Sequence, residues 1–266
     1  MTAALGALPP RWRDDRLVLS DRHKLDRARV LGDDEGIVVL FDGPTGLSVS
    51  GHGPDGRAAG IVTALVEAGE LRAPLRWLSL PRGADLPASV CEELGVEPLP
   101  GWDWMSATTV ADVPGTNRVE RLDLSVDLPA IVDCLAAGNP TTDSDPAGPH
   151  EAGWWGVRDG DRLTGVIGAG SRGGTSAGGV SWHLHGLGVR PEGRRSGLGT
   201  ALMVAATAEG LAAGADWVSL GVWADNEPAL RIYRRLGFRT DHQGRSYRPT
   251  ERPTRPSARP GEPVSG

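Results

Sequence analysis

The sequence has almost no lysine. Lys24 is the only one, so nearly all of its 28 basic residues are arginine, a bias that reflects a GC-rich genome rather than a function. It has two cysteines, Cys91 and Cys134. That is too few for a disulfide framework, and they lack the spacing of a metal site, which fits a reducing cytosol. No apolar run is long enough to span a bilayer. The start of the chain is mildly apolar but lacks the charged and apolar regions of a secretory leader, so none is expected. Basic charge is not in excess: the formal net charge is −6, which argues against wholesale nucleic-acid binding. A cytoplasmic protein is expected, with no metal, membrane or nucleic-acid partner. Its 266 residues suffice for one large domain or two of common size.

Against these absences stands one dense stretch, Val189-Arg190-Pro191-Glu192-Gly193-Arg194-Arg195-Ser196-Gly197-Leu198-Gly199-Thr200. It follows a strand-like run from Trp182 to Gly188. It precedes Leu198, Ala201, Leu202, Ala205, Ala208 and Ala212 at helical spacing. Such a turn offers backbone N–H groups at a helix N-terminus, where the dipole favours anions. Glycine lets the main chain come close to a phosphate, and Arg194 and Arg195 add positive charge. A phosphate cradle and an ordinary surface turn both fit it.

The stretch has an imperfect copy. Pro54 to Leu65 matches Pro191 to Leu202 at a constant offset of 137, with Pro, Gly, Arg, Gly, Thr, Ala and Leu in register. Trp77-Leu78-Ser79-Leu80 then matches Trp217-Val218-Ser219-Leu220, and Leu94-Gly95-Val96 matches Leu236-Gly237-Phe238. Collinear matches with small drifts mark an internal repeat. The expected division is a first copy over 1–105, a linker over 106–117, a second copy over 118–249, and a disordered Pro-, Arg- and Ser-rich tail over 250–266.

In the second copy, strands are expected at 119–124, 154–157, 163–169 and 217–222, and a helix at 128–137. Asn226 suits the cap of a further helix, with Pro228 in its first turn and Gly237 ending it. Gly168-Ala169-Gly170-Ser171-Arg172-Gly173 fits a dinucleotide-binding G-x-G-x-x-G run, but no helix opens on its third glycine. It is read as a flexible hairpin loop.

The second copy resembles a GNAT-superfamily N-acetyltransferase. The residues that carry the resemblance are Arg194-x-x-Gly197-x-Gly199 after the strand ending at Val189, followed by Asn226, Tyr233 and Leu236-Gly237-Phe238. The chain as a whole resembles tandem GNAT proteins of the actinobacterial type with a degenerate first copy. The resemblance implies an α+β fold of two tandem GNAT-like domains. Each would be a mostly antiparallel mixed sheet flanked by helices and splayed at the cofactor strand.

The resemblance also implies acetyl-CoA as co-substrate and direct transfer of acetyl to a primary amine in a ternary complex. Arg194, Arg195, Ser196, Gly197, Leu198, Gly199 and Thr200 would hold the pyrophosphate. Leu187, Gly188 and Val189 would pair with the pantetheine arm, Asn226 would bond it, and the Val189 N–H would face the thioester oxygen. Tyr233 would protonate the departing thiolate; its other reading is a core aromatic.

The strand before the cradle carries no acid. His183 and His185 stand there instead, and His185 is taken as the base, with Glu151 and Asp225 behind it. In the first copy Val62 stands opposite Gly199 and Cys91 opposite Tyr233, so that copy is expected to be non-catalytic, with Arg76, Arg82, Trp102 and Trp104 available to line an acceptor cleft. The acceptor is a small-molecule or peptide amine, and the chain a monomer or homodimer. The alternative is a non-catalytic acyl-CoA-binding sensor.

Overall fold

A computed structural model describes residues 3–43, 46–54, 56–175 and 178–250. Three short helices come first: α1 (Ala3–Ala7), α2 (Arg16–Ser20) and α3 (Arg22–Leu25). The first half continues with β1 (Ala28–Asp33), β2 (Gly36–Gly43), β3 (Gly46–His52), α4 (Arg57–Glu67), β4 (Leu75–Pro81), α5 (Ala88–Leu94) and β5 (Val96–Ala107). The second half holds β6 (Glu120–Arg121), α6 (Leu124–Gly138), β7 (Glu151–Asp159), β8 (Arg162–Gly173), β9 (Val180–Val189), α7 (Leu198–Ala212), β10 (Val218–Trp223), α8 (Glu227–Arg235) and β11 (Arg239–Pro249). From β3 to β5 and from β9 to β11 the same strand–helix–strand–helix–strand order recurs.

The expectation of a separate sheet in each half is not met. Among the described residues all strands form one eleven-stranded sheet in the order β1-β2-β3-β4-β11-β5-β10-β9-β8-β7-β6. Pairing is antiparallel except for β3 with β4 and β9 with β10. The join is reciprocal. β5 leaves its own half to lie between β10 and β11, and β11 lies between β4 and β5. Local pattern explains each strand, but the pairing of β5 with β11 is a long-range choice that alternation does not encode.

Several boundaries move as a result. Ser106 and Ala107, assigned to the linker, complete β5, and the Ser106 hydroxyl is held by Arg16 and Asp241. The strand expected at 119–124 is reduced to Glu120–Arg121. The run from Gly168 to Gly173 is not a hairpin loop but the second half of β8. Most of the tail, 251–266, lies outside the described residues.

The core is divided along the sheet. One cluster gathers Trp155, Ile167, Trp182, Leu202, Val218 and Phe238 under α7 and α8. A second gathers Val38, Val62, Leu78, Leu94 and Tyr247 under α4 and α5. A third, with Trp12, Leu19, Ile37, Trp104 and Trp217, seals the N-terminal helices against the middle of the sheet. Tyr247 of β11 is 2% exposed and belongs to the first half's core. Each half therefore buries apolar side chains supplied by the other, and that burial drives the join. Among the described residues no helix is long and apolar enough to cross a membrane.

Candidate active site

The site is a wedge opened by β9. β9 pairs with β10 only from Trp182 to Leu184, whereas its pairing with β8 runs on to Val189. Between His185 and Gly188 the register against β8 shifts, and Gly186 takes φ 60°. A bulge of this kind bends and twists a strand away from its neighbour. Beyond Leu184 one edge of β9 is thus left without a partner strand. Side chains meet two of its carbonyls: Asn139 Nδ2 donates to Leu187 O at 3.1 Å, and Arg194 Nε to Val189 O at 3.2 Å.

The cradle is built at the end of that strand. Arg190 is 3% exposed. It donates from Nε to Leu163 O at 2.7 Å and pairs with Asp133, so it anchors the turn rather than offering charge to a ligand. Arg195 has φ 63° and is the only non-glycine residue with positive φ among those described. That conformation costs roughly 1–2 kcal/mol. Ser196 Oγ donates to Gly193 O at 2.6 Å. Gly197 caps α7 at φ 83° with no side-chain acceptor on the helix end.

The first intrahelical bond runs from Ala201 N–H to Gly197 O, so Leu198, Gly199 and Thr200 leave their N–H groups free at the positive end of the helix. A Cβ on Gly197 would meet nothing within 4 Å, and one on Gly199 only the Val189 methyl at 3.7 Å. The space in front of the turn is open, and Arg194 and Arg195 lie exposed beside it. The donor set fits a diphosphate.

The first half lacks this device. From the end of β3 to the start of α4 the chain has only Gly53 to Gly56, while Arg190 to Gly197 fill the matching gap between β9 and α7. Gly56, at φ 89°, caps α4 as Gly197 caps α7. The constant offset of 137 pairs Gly60 with Gly197, but Gly60 lies inside α4. Val62, expected in the phosphate path, is instead a fully buried core residue of that helix.

The wedge opens into a cavity of about 730 Å³ lined by His185, Leu187, Asn226 and Tyr233, together with Asn139, Trp77, Trp102, Trp223 and Ser246. Asn226 caps α8 as expected, its Oδ1 accepting from Ala229 N–H at 3.2 Å. About two turns on, Tyr233 packs on the core and faces the Phe238 ring at 6.2 Å. Burial raises its phenol above the ordinary value of 10, so it keeps its proton at neutral pH.

The two histidines part company. His183 Nδ1 lies 2.9 Å from Ser219 Oγ. Burial, with the charges of Arg172 and His185, pushes it down to about 3, too weak a base for an amine. His185 Nε2 lies 3.2 Å from Glu151 Oε1, so one of the alternative acids is in contact with the imidazole. Asp225 is exposed on the turn before α8 and is not among the cavity's lining residues.

Of the first-half candidates, Trp102 lines the cavity and Arg76 an adjoining one of about 430 Å³ that shares Trp77 and Trp102. Arg82 pairs with Asp103 at 2.9 Å, and Trp104 is core. Asn139, Trp77, Trp223 and Ser246 were not expected in the site, and Trp77 was named only as the start of a repeat match. They lie in loops or on strands whose neighbours are set by the join, and no site motif marks them.

Residues 131–238 match the family model described as the acetyltransferase (GNAT) family. A stretch of 52 residues is 50% identical to a mycothiol acetyltransferase of Nocardiopsis dassonvillei, covering 20% of this chain and 16% of that protein. A stretch of 53 residues is 51% identical to a mycothiol acetyltransferase of Clavibacter michiganensis subsp. michiganensis, covering 20% and 17%. The match thus spans less than a fifth of these relatives' length. Among solved structures, one described as a GNAT-family acetyltransferase from Novosphingobium aromaticivorans aligns with TM-score 0.53 and 20% identity over 91% of this chain and 98% of that one. A GCN5-related N-acetyltransferase from Kribbella flavida aligns with TM-score 0.52 and 18% identity over 91% and 96%. At these identities the likeness is one of fold. The chain has the GNAT fold, with a mixed sheet and flanking helices, and the match to the acetyltransferase family model lies within its second half.

Proposed function

We propose that the protein is an acetyl-CoA-dependent N-acetyltransferase that moves an acetyl group to a primary amine in a ternary complex. The observation that carries this is one continuous path. The uncapped N-terminus of α7 lies beside Val189 at the end of the unpaired edge of β9, and Leu187 on that edge lines the cavity together with the phenol of Tyr233. Leu198, Gly199 and Thr200 N–H groups with Arg194 and Arg195 would hold the diphosphate. Leu187 to Val189 would receive the pantetheine arm as an added strand, taking the place of the Asn139 side chain, with Asn226 beside it.

The acceptor amine attacks the thioester carbon. A C–N bond forms and the C–S bond breaks. The carbonyl oxygen gains charge and takes a hydrogen bond from the Val189 N–H. Tyr233 gives its proton to the departing sulfur, and His185 takes one from the amine. After product release the two side chains return to their starting protonation states.

The first half acts as a non-catalytic copy that completes the acceptor side. Trp77 and Trp223 are 41% and 48% exposed at the cavity, an unusual exposure for indoles that suits contact with an acceptor. The adjoining cavity, with Asp21, Lys24 and Asp143, extends that surface. The mycothiol acetyltransferase likeness is too short to name the acceptor. The reading places the protein in the cytoplasm.

Thiol release from acetyl-CoA across a panel of primary amines tests the proposal. Turnover with at least one amine is expected. Acetyl-CoA binding with no turnover on any of them would leave a cofactor sensor instead.

A further inference from the structure

Three glycines surround one imidazole. Gly168 and Gly170 lie on β8 and Gly186 on β9. A Cβ on Gly168 would come within 2.6 Å of the Trp154 ring and 2.7 Å of His185 Cε1, and one on Gly186 within 2.6 Å of Trp154 Cη2. Contacts that short exclude any side chain. Gly168, from the run that fits a nucleotide fingerprint, and Gly186 therefore make a seat in which Trp154 stands edge-on to His185, with centroids 5.3 Å apart and planes at 77°.

Glu151, the first residue of β7, closes the seat. Its Oε1 lies 3.2 Å from His185 Nε2, and its Oε2 accepts from Trp154 Nε1–H at 2.6 Å. The carboxylate side chain is 12% exposed.

We infer that Glu151 is the positioning residue for His185, fixing the ring as the Nε2–H tautomer and setting its orientation at the cavity wall. The inference rests on the acetyltransferase reading above. A carboxylate only accepts hydrogen bonds, so the ring nitrogen facing it carries the proton. The other nitrogen, Nδ1, is buried with no hydrogen-bond partner. With Nδ1 unmet, the contact with Glu151 decides which ring nitrogen carries the proton.

Glu151→Gln tests the assignment. Glutamine has one carbonyl oxygen, and Trp154 Nε1–H already requires it. The amide nitrogen then faces His185 Nε2, which must accept, and the ring proton moves to Nδ1. Two-bond 1H–15N correlation spectra report the tautomer, with the His185 signal assigned by its loss in His185→Gln. The wild-type protein is expected to show protonated Nε2 and Glu151→Gln protonated Nδ1, with the other five histidine signals unmoved as the check on folding.

On the amine that supports turnover, Glu151→Gln is expected to lower kcat on the order of 10²-fold while the acetyl-CoA KM stays within about twofold. Glu151→Gln with Trp154→Phe frees the amide oxygen for His185, and is expected to restore the Nε2–H form and about tenfold in kcat. A wild-type Nδ1–H tautomer, or an unchanged tautomer and kcat in Glu151→Gln, would overturn the inference. Absence of turnover with every amine overturns the acetyltransferase reading and the base role with it, while the spectra still decide whether Glu151 sets the tautomer.

Discussion

The indole N–H of Trp102 donates to the hydroxyl of Ser246 at 2.9 Å, between residues 144 positions apart. Trp102 comes from β5 and Ser246 from β11, the final strands of opposite halves, and both line the candidate active-site cavity. The second half carries the turn before α7 and Tyr233, yet part of the cavity wall belongs to the first.

A fragment of residues 108–250 should therefore fail to fold. Removing β5 leaves the inner edges of β10 and β11 unpaired and uncovers the apolar face they share with it. Size-exclusion chromatography and thermal melting of the fragment should show aggregation or no cooperative transition. A monomeric fragment that melts cooperatively and binds acetyl-CoA would mean that the exchanged strand is dispensable.

Tyr233→Phe keeps the ring packed on the core against Phe238 and removes the proton donor. Turnover should fall on the order of 10²- to 10⁴-fold, the usual worth of a general acid, with acetyl-CoA KM changed by no more than about threefold. Steady-state kinetics decide it, and an equal rise in KM would assign the phenol to binding.

Gly197 holds φ 83° in front of open space. Gly197→Ala should cost about 1–2 kcal/mol of stability through its backbone alone. Gly197→Val should also obstruct approach to the α7 N-terminus and weaken acetyl-CoA binding at least tenfold by calorimetry. Retained affinity in the valine variant would remove this turn from the cofactor site.

Acid should destabilise the fold well above the carboxylate range. Burial holds His52 down to about 4 and His183 down to about 3, from an ordinary value of 6.5. Both are neutral in the fold, whereas the unfolded chain protonates them below about pH 6.5. Their contribution is complete above 6.5 and is lost as pH falls, through 4 for His52 and through 3 for His183, at up to about 1.4 kcal/mol per pH unit each. Urea midpoints measured between pH 7.5 and 5 should decline, and His183→Asn should reduce the slope. A flat profile would show that these rings do not stay neutral.

Much of the second half was legible in the sequence because its signals are local. A glycine before a helix, Asn226 as a cap, and Gly237 after the last helical turn each satisfy a backbone need within a few residues, and all three stand where the pattern put them. Register in the first copy was not legible, because the deletion between β3 and α4 slid the matching letters onto the wrong turn of helix. Gly168 was misread because its reason lies across the strand, in Trp154 and His185. Glu151 was named only as a remote candidate, since its contact with His185 depends on β7 and β9 flanking the same strand. The reciprocal join was invisible for the same reason: hydrophobic alternation says which face of β5 and β11 is buried but not which neighbours they choose.

That join also constrains the order of events during synthesis. β11 is the last strand of the sheet to leave the ribosome, yet its place is between β4 and β5, which leave much earlier. A nascent first half must wait with that gap open and with the pocket for Tyr247 unfilled. Completing the sheet therefore requires a late, long-range pairing, and loss of the last few residues of β11 should strike the half made first.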